Sequence, residues 1–159
     1  MAETYTIRLA TINDVPAIAE HRKKMIAEIR DSMELDFDSM VAQFQQWLRP
    51  RMERGEYMEW FAMTENGSVA AGIGLWIIDW PPHLLPSGNA NNIRGYILNV
   101  FTEPSYRKQG VSRLLLETAL DWCREKKIKM VFLHASPFGR HLYETAGFMT
   151  TNEMRIYLE

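Results

Sequence analysis

Cysteine is nearly missing from this chain of 159 residues: Cys123 stands alone. No disulfide can therefore close within the chain, and no multi-cysteine metal site can form. The four histidines, His21, His83, His134 and His141, lack the spacing of metal ligands. Neither sign of charge is in excess, since 18 Lys and Arg face 20 Asp and Glu for a net charge of −2. That balance speaks against a nucleic-acid partner recognised through bulk charge, although a local cationic patch can still hold phosphates. Long apolar runs are also missing. The longest uncharged one, residues 69–78, is too short to span a bilayer, and the charged N-terminus has no apolar segment of a signal peptide. A soluble cytoplasmic protein without a membrane or nucleic-acid partner is the expectation.

What is present is an ordinary globular composition, 47% hydrophobic and 24% charged. The length suits a single domain over residues 1–159. Tyr5, Ile7 and Leu9 alternate as in a short strand. Asn13 or Asp14 can cap a helix that tolerates Pro16 in its first turn. Met40, Phe44, Trp47 and Leu48 mark a second helix, which Gly55 ends. Residues 56–64 and 68–80 read as strands joined by Asn66-Gly67, a hairpin signal. Residues 81–92, with three prolines and one glycine, read as a polar loop. Residues 94–103 form a strand stopped by Pro104. Residues 111–126 form a helix whose one face carries Val111, Leu114, Leu115, Thr118, Ala119, Trp122 and Cys123. A buried strand over 128–135, a short helix over 138–146 closed by Gly147, and a last strand or strand pair over 148–158 complete the order. The result is a mixed α/β fold.

The most informative stretch is Asn99-Val100-Phe101-Thr102-Glu103-Pro104-Ser105-Tyr106-Arg107-Lys108-Gln109-Gly110-Val111-Ser112. A strand enters a cationic turn, and the turn opens a helix. Unpaired amides at a helix N-terminus carry about half a positive charge and suit a pyrophosphate. Gly110 permits close approach, and Arg107 and Lys108 add charge. Taken alone, the segment describes an anion site or an ordinary helix start with solvated basic residues.

Arg107-Lys108-Gln109-Gly110-Val111-Ser112 resembles the coenzyme-A loop of the GCN5-related N-acetyltransferases, Gln/Arg-x-x-Gly-x-Gly/Ala. Ser112 departs from the last position with a residue of similar size. Downstream, Leu142-Tyr143-Glu144-Thr145-Ala146-Gly147-Phe148 is similar to the later motif of the same family, Leu-Tyr-x-x-x-Gly-Phe. The resemblance implies a mostly antiparallel twisted sheet flanked by helices and splayed between its fourth and fifth strands. Acetyl-CoA would then bind along Val100, Phe101 and Thr102, with its pyrophosphate at Arg107, Lys108, Gln109, Gly110, Val111 and Ser112. Tyr143 would protonate the departing thiolate. Many relatives dimerise, so a homodimer is compatible with the chain.

The implied chemistry has a clear obstacle. An alkyl amine with pKa near 10.4 is less than about one part in a thousand neutral at pH 7, roughly 4–5 kcal/mol from its nucleophilic form. A base must remove the proton, and Glu103 at the strand's end is the candidate, through water. No metal is required. The alternatives are a nucleotide-dependent enzyme using the same turn, which lacks Gly-x-Gly-x-x-Gly and Gly-Lys-Ser/Thr, and a non-catalytic coenzyme-A-binding regulatory module. His134 and Ser136 lack the Gly-x-Ser-x-Gly elbow of a hydrolase, and Cys123 reads as a buried structural thiol. The acceptor is a small-molecule or peptide amine. Asp31, Glu34, Asp36 and Asp38 suggest that it is cationic, with Trp76, Ile78 and Trp80 on one strand face as its apolar wall.

Overall fold

A computed structural model describes residues 4–30, 34–85, 88 and 90–158 of the chain. Five strands, β1 (Thr6–Leu9), β2 (Tyr57–Met63), β3 (Val69–Leu84), β4 (Ala90–Thr102) and β5 (Val131–Leu133), form one sheet in sequential order. The first four are antiparallel neighbours, and β5 joins β4 in parallel. The helices are α1 (Val15–Ile29), α2 (Phe37–Glu53), α3 (Val111–Glu125) and α4 (Arg140–Thr145).

Period-two alternation explains why both faces of the sheet are covered. Tyr57 and Phe61 of β2 pack with Ile18 and Ala19 of α1 and Phe44 and Leu48 of α2. Trp60 and Ala62, which alternate with them, pack instead with Leu115, Leu116 and Ala119 of α3. Each fully buried leucine or phenylalanine contributes about 1.5–3 kcal/mol relative to exposure. The α3 stripe is rotated slightly from its sequence reading: Leu116 is buried, whereas Leu114 is 40% exposed.

Several expectations are corrected. Asp14 does not cap α1 through its side chain; it closes a capping box with Thr11 on the 3-10 turn ahead of α1 and binds Arg8 at 2.8 Å. The α2 helix starts earlier than its apolar stripe, because Asp36 accepts a hydrogen bond from the Ser39 amide at 2.9 Å. The segment 81–92 is largely not a loop. It is the outer end of a long β3–β4 hairpin, and a register shift between Asp79 and His83 accommodates Pro81 and Pro82, which have no amide to donate. The strand expected over 128–135 narrows to Val131–Leu133. No strand forms over 148–158, where Met149, Met154, Ile156, Tyr157 and Leu158 are exposed; alternation alone cannot make a strand without a partner to pair with.

Candidate functional site

The centre of the sheet is irregular in one place. Gly72 pairs with Phe101 and Gly74 with Leu98, so β4 carries one residue more than β3 across that interval. This is a β-bulge, and Asn99 occupies it at φ +57°. The bulge turns both Leu98 and Asn99 toward α1. The Asn99 amide donates to the Ile18 carbonyl at 3.2 Å and to Glu59 Oε1 at 3.3 Å. Asparagine is among the few residues that tolerate this backbone region, and these two bonds hold it there.

Pairing between β4 and β5 ends just before the bulge. Gly95, Tyr96 and Ile97 face Val131, Phe132 and Leu133, and the pairing goes no further. The half of β4 that continues through Val100, Phe101 and Thr102 therefore borders a split in the sheet. At its far end, two residues with positive φ, Lys108 at 61° and Gly110 at 82°, bend the chain into α3. Such alternation of backbone hand aims successive amides into a common concavity. A Cβ at Gly110 would meet nothing within 4 Å, so backbone conformation, not space, selects glycine there.

The side chains of the turn have local duties. Arg107 donates to the Thr102 carbonyl at 2.9 Å and pairs with Glu28 of α1 at 2.6 Å. Gln109 accepts from the Tyr5 hydroxyl at 3.0 Å and donates to the Ser105 carbonyl at 3.1 Å. Ser112 and Thr102 join hydroxyls at 2.7 Å, so the residue that departs from the motif ties the helix start to the strand end. Val111 is buried among the α3 core residues.

Tyr143 on α4 is 8% exposed and belongs to the same apolar cluster as Ile97 and Val111. Burial pushes its phenol up to about 12. Gly139 makes room for its ring, since a Cβ there would stand 2.8 Å from Tyr143 Cε2. Glu103 lies past the end of β4 and accepts from Lys24 Nζ at 2.6 Å through Oε1, with His21 Nε2 at 3.6 Å from the same oxygen.

A groove of about 680 Å³ opens between α1, α2 and the sheet, lined among others by Arg22, Phe44, Trp47, Trp76, Tyr96 and Leu98. Of the acidic residues, Asp36 lines it, whereas Glu34 and Asp38 do not, and Asp31 lies outside the described residues. Of the predicted apolar wall only Trp76 lines the groove; Trp80 packs beside Phe132 and beneath Arg94. A smaller cleft of about 260 Å³, lined by Leu9, Met52 and Tyr57 among others, contains none of the motif residues.

The site thus combines a split sheet, a bulge at the split and a left-handed glycine turn beyond it. The sequence model of the Acetyltransferase (GNAT) family matches residues 22–148. The chain belongs to that family. It is 35% identical to a GCN5-related N-acetyltransferase from Ralstonia eutropha, with a TM-score of 0.88 over 98% of this chain and 99% of the other. A "predicted acetyltransferase with acetyl-CoA" from Clostridium acetobutylicum is 25% identical, with a TM-score of 0.83 over 98% and 96%. The fold is shared with an aminoglycoside N-acetyltransferase in complex with CoA, 16% identical, at a TM-score of 0.67 over 100% and 97%. No curated protein matches the sequence.

In this acetyltransferase the sequence reading passed over the network beneath the bulge. Glu59 is fully buried, accepts from the Tyr57 hydroxyl and the Asn99 amide, and is pushed up to about 8, chiefly by burial. His21 is buried too, and burial lowers its imidazole below the usual value. Gly72 leaves space between them, since a Cβ there would stand 2.9 Å from Glu59 Oε1 and 3.0 Å from His21 Nδ1. One signal was available: Glu59 shares its strand face with Tyr57 and Phe61, an inward position in a strand otherwise apolar. Among the described residues no cluster of His, Cys, Asp and Glu is placed to hold a metal, and no helix is long and apolar enough to cross a membrane.

Proposed function

We propose that this protein transfers the acetyl group of acetyl-CoA directly to a primary amine, within a single acetyltransferase domain. The observation that carries the reading is the abrupt end of β4–β5 pairing at Ile97, immediately before the Asn99 bulge. Backbone groups from Val100 to Thr102 border the split, where an extended pantetheine arm can pair with them as a strand would. The turn from Arg107 to Ser112 then receives the pyrophosphate on its amides. For Arg107 to contribute charge it must loosen its pair with Glu28.

The amine attacks the thioester carbon, a C–N bond forms, and the C–S bond breaks. The amine gives up a proton and the departing thiolate takes one. Tyr143 is the proposed donor to sulfur: with its phenol held near 12 it keeps its proton throughout the working pH range. Glu103 is the proposed acceptor of the amine's proton, through water and Oε2, since Oε1 is engaged by Lys24.

The test is calorimetric titration with acetyl-CoA, followed by thiol release across an amine panel. Wild-type protein is expected to bind acetyl-CoA and release free thiol only when an acceptor is present. Gly110→Glu is expected to abolish binding, because it forces a side chain into a left-handed position and brings negative charge to the phosphate turn. A folded Gly110→Glu variant with unchanged affinity would remove the turn from the site.

A further inference from the structure

Arg22 projects from α1 into the groove and stacks over the Phe44 ring at 4.6 Å from its centroid. The other described arginines that are not exposed have other places: Arg8 is held by Asp14, Arg51 by the Trp47 carbonyl and Arg113 by Thr145 and Glu117, while Arg94 stacks over Trp80 at 4.0 Å, outside the groove. The Arg22 guanidinium makes neither an ion pair nor a hydrogen bond with any described residue. Burial lowers its pKa, yet a guanidinium remains charged in a protein. The buried carboxyl within its electrostatic reach, Glu59, is pushed by burial toward its neutral form and makes neither an ion pair nor a hydrogen bond with Arg22; its acceptor bonds come from Tyr57 and Asn99.

A half-buried cation without a hydrogen-bonded anion is unfavourable until one reaches it. The fork of a guanidinium matches a planar carboxylate in two parallel hydrogen bonds. Beside it, Trp47, Trp76 and Tyr96 offer aromatic surface, with Trp47 and Trp76 edge to face at 5.2 Å between centroids. Leu98, the residue before the bulge, closes the groove toward the split.

We infer that the acceptor is an α-amino acid with a large apolar or aromatic side chain, its carboxylate held by Arg22 and its side chain by Trp47, Trp76 and Tyr96. The inference rests on the acetyltransferase reading above and names its substrate class. A polycationic acceptor would bring like charge against Arg22. A second carboxylate on the ligand would meet Asp36, which lines the same groove. Monocarboxylates with apolar bodies fit between these two exclusions. The reaction balances as amino acid plus acetyl-CoA giving N-acetyl amino acid plus free coenzyme A.

The experiment compares phenylalanine, tryptophan and methionine with phenethylamine, tryptamine and spermidine, using wild-type protein, Arg22→Met and Arg22→Lys. Acetyl-CoA affinity and melting temperature are measured for each protein. For wild type, kcat/KM for an amino acid is expected to exceed that for its decarboxylated amine by at least about tenfold, the scale of a hydrogen bond to a charged group. Arg22→Met should erase that advantage by raising KM for the amino acid while leaving acetyl-CoA affinity intact, and Arg22→Lys should restore part of it. Equal or better turnover of the carboxylate-free amines overturns the inference and leaves the acetyltransferase reading standing. Failure to bind acetyl-CoA sinks that reading instead. The tryptophans lining the groove report ligand binding directly by fluorescence. If wild-type protein binds acetyl-CoA but neither binds nor acetylates any of the three amino acids at millimolar concentration, the inference is also overturned.

Discussion

Burial of Glu59 among Tyr57, Asn99 and the glycines of β3 links stability to pH in a definite direction. Its pKa rises from 4.5 when unfolded to about 8 in the fold. The unfolded chain therefore loses this proton first, and stability falls as pH climbs from 4.5 to about 8. His21 acts on the other side: burial depresses its pKa, so stability falls as pH drops below the unfolded value of 6.5. Glu59→Gln, which keeps hydrogen-bonding capacity and cannot ionise, is expected to flatten the alkaline limb of melting temperature against pH. Calorimetric scans from pH 5 to 9 check this, and superimposable wild-type and variant profiles would contradict it. At Tyr143, replacement by Phe keeps the packing against Phe148, 5.9 Å away between centroids, and removes the proton. The expected loss in kcat is about 10²–10⁴ with acetyl-CoA affinity preserved; stopped-flow thiol release measures it, and an undiminished rate would make Tyr143 structural. Tyr143 was singled out in the sequence because it sits in a motif. His21 carried no such mark and Glu59 only its inward place in an apolar strand, because the network they join comes from strands and helices that meet only in three dimensions.

Among the elements, β4 has the most exacting local conformation. Asn99→Ala would leave an ordinary residue at φ +57° and remove both side-chain anchors. The expected destabilisation is about 2–3 kcal/mol, combining left-handed strain with a lost hydrogen bond in the interior. Denaturant melts would measure it, and a change below about 0.5 kcal/mol would mean that the bulge does not depend on Asn99. The period of the apolar residues located β1, β2, the inner part of β3, α1, α2 and α3, since burial on one or both faces imposes that period directly. The hairpin tip and the chain's end were misread for opposite reasons. Pro81 and Pro82 are strand breakers that an edge irregularity absorbs. Residues 148–158 have strand-like alternation without the pairing that turns alternation into structure.

For the molecule as a whole, a cosubstrate that fits only the intact split must stabilise the folded state. At a hundred times its dissociation constant, acetyl-CoA is expected to add about 2.7 kcal/mol, which for a chain of this size is an upward shift of roughly 5–11 °C in melting temperature. The shift should vanish in Gly110→Glu; if wild type itself shows no shift at saturating acetyl-CoA, the split is not its site. The family's two motifs marked the proposed cosubstrate side in the sequence, while the proposed acceptor side, assembled from α1, α2, β3 and β4, has no contiguous signature. The α1 helix touches both sides. Within 15 residues, or about 22 Å, its Ile18 carbonyl holds the bulge, Arg22 faces the groove, Lys24 holds Glu103, and Glu28 holds the Arg107 turn. One stiff rod thus spans both proposed ligand sites, and heterotropic linkage is the expected consequence. Whatever factor acetyl-CoA imposes on acceptor affinity, the acceptor must return to acetyl-CoA. The two substrates should therefore not bind independently, and Glu28→Gln, remote from the groove, should alter that shared factor when each ligand is titrated with and without the other.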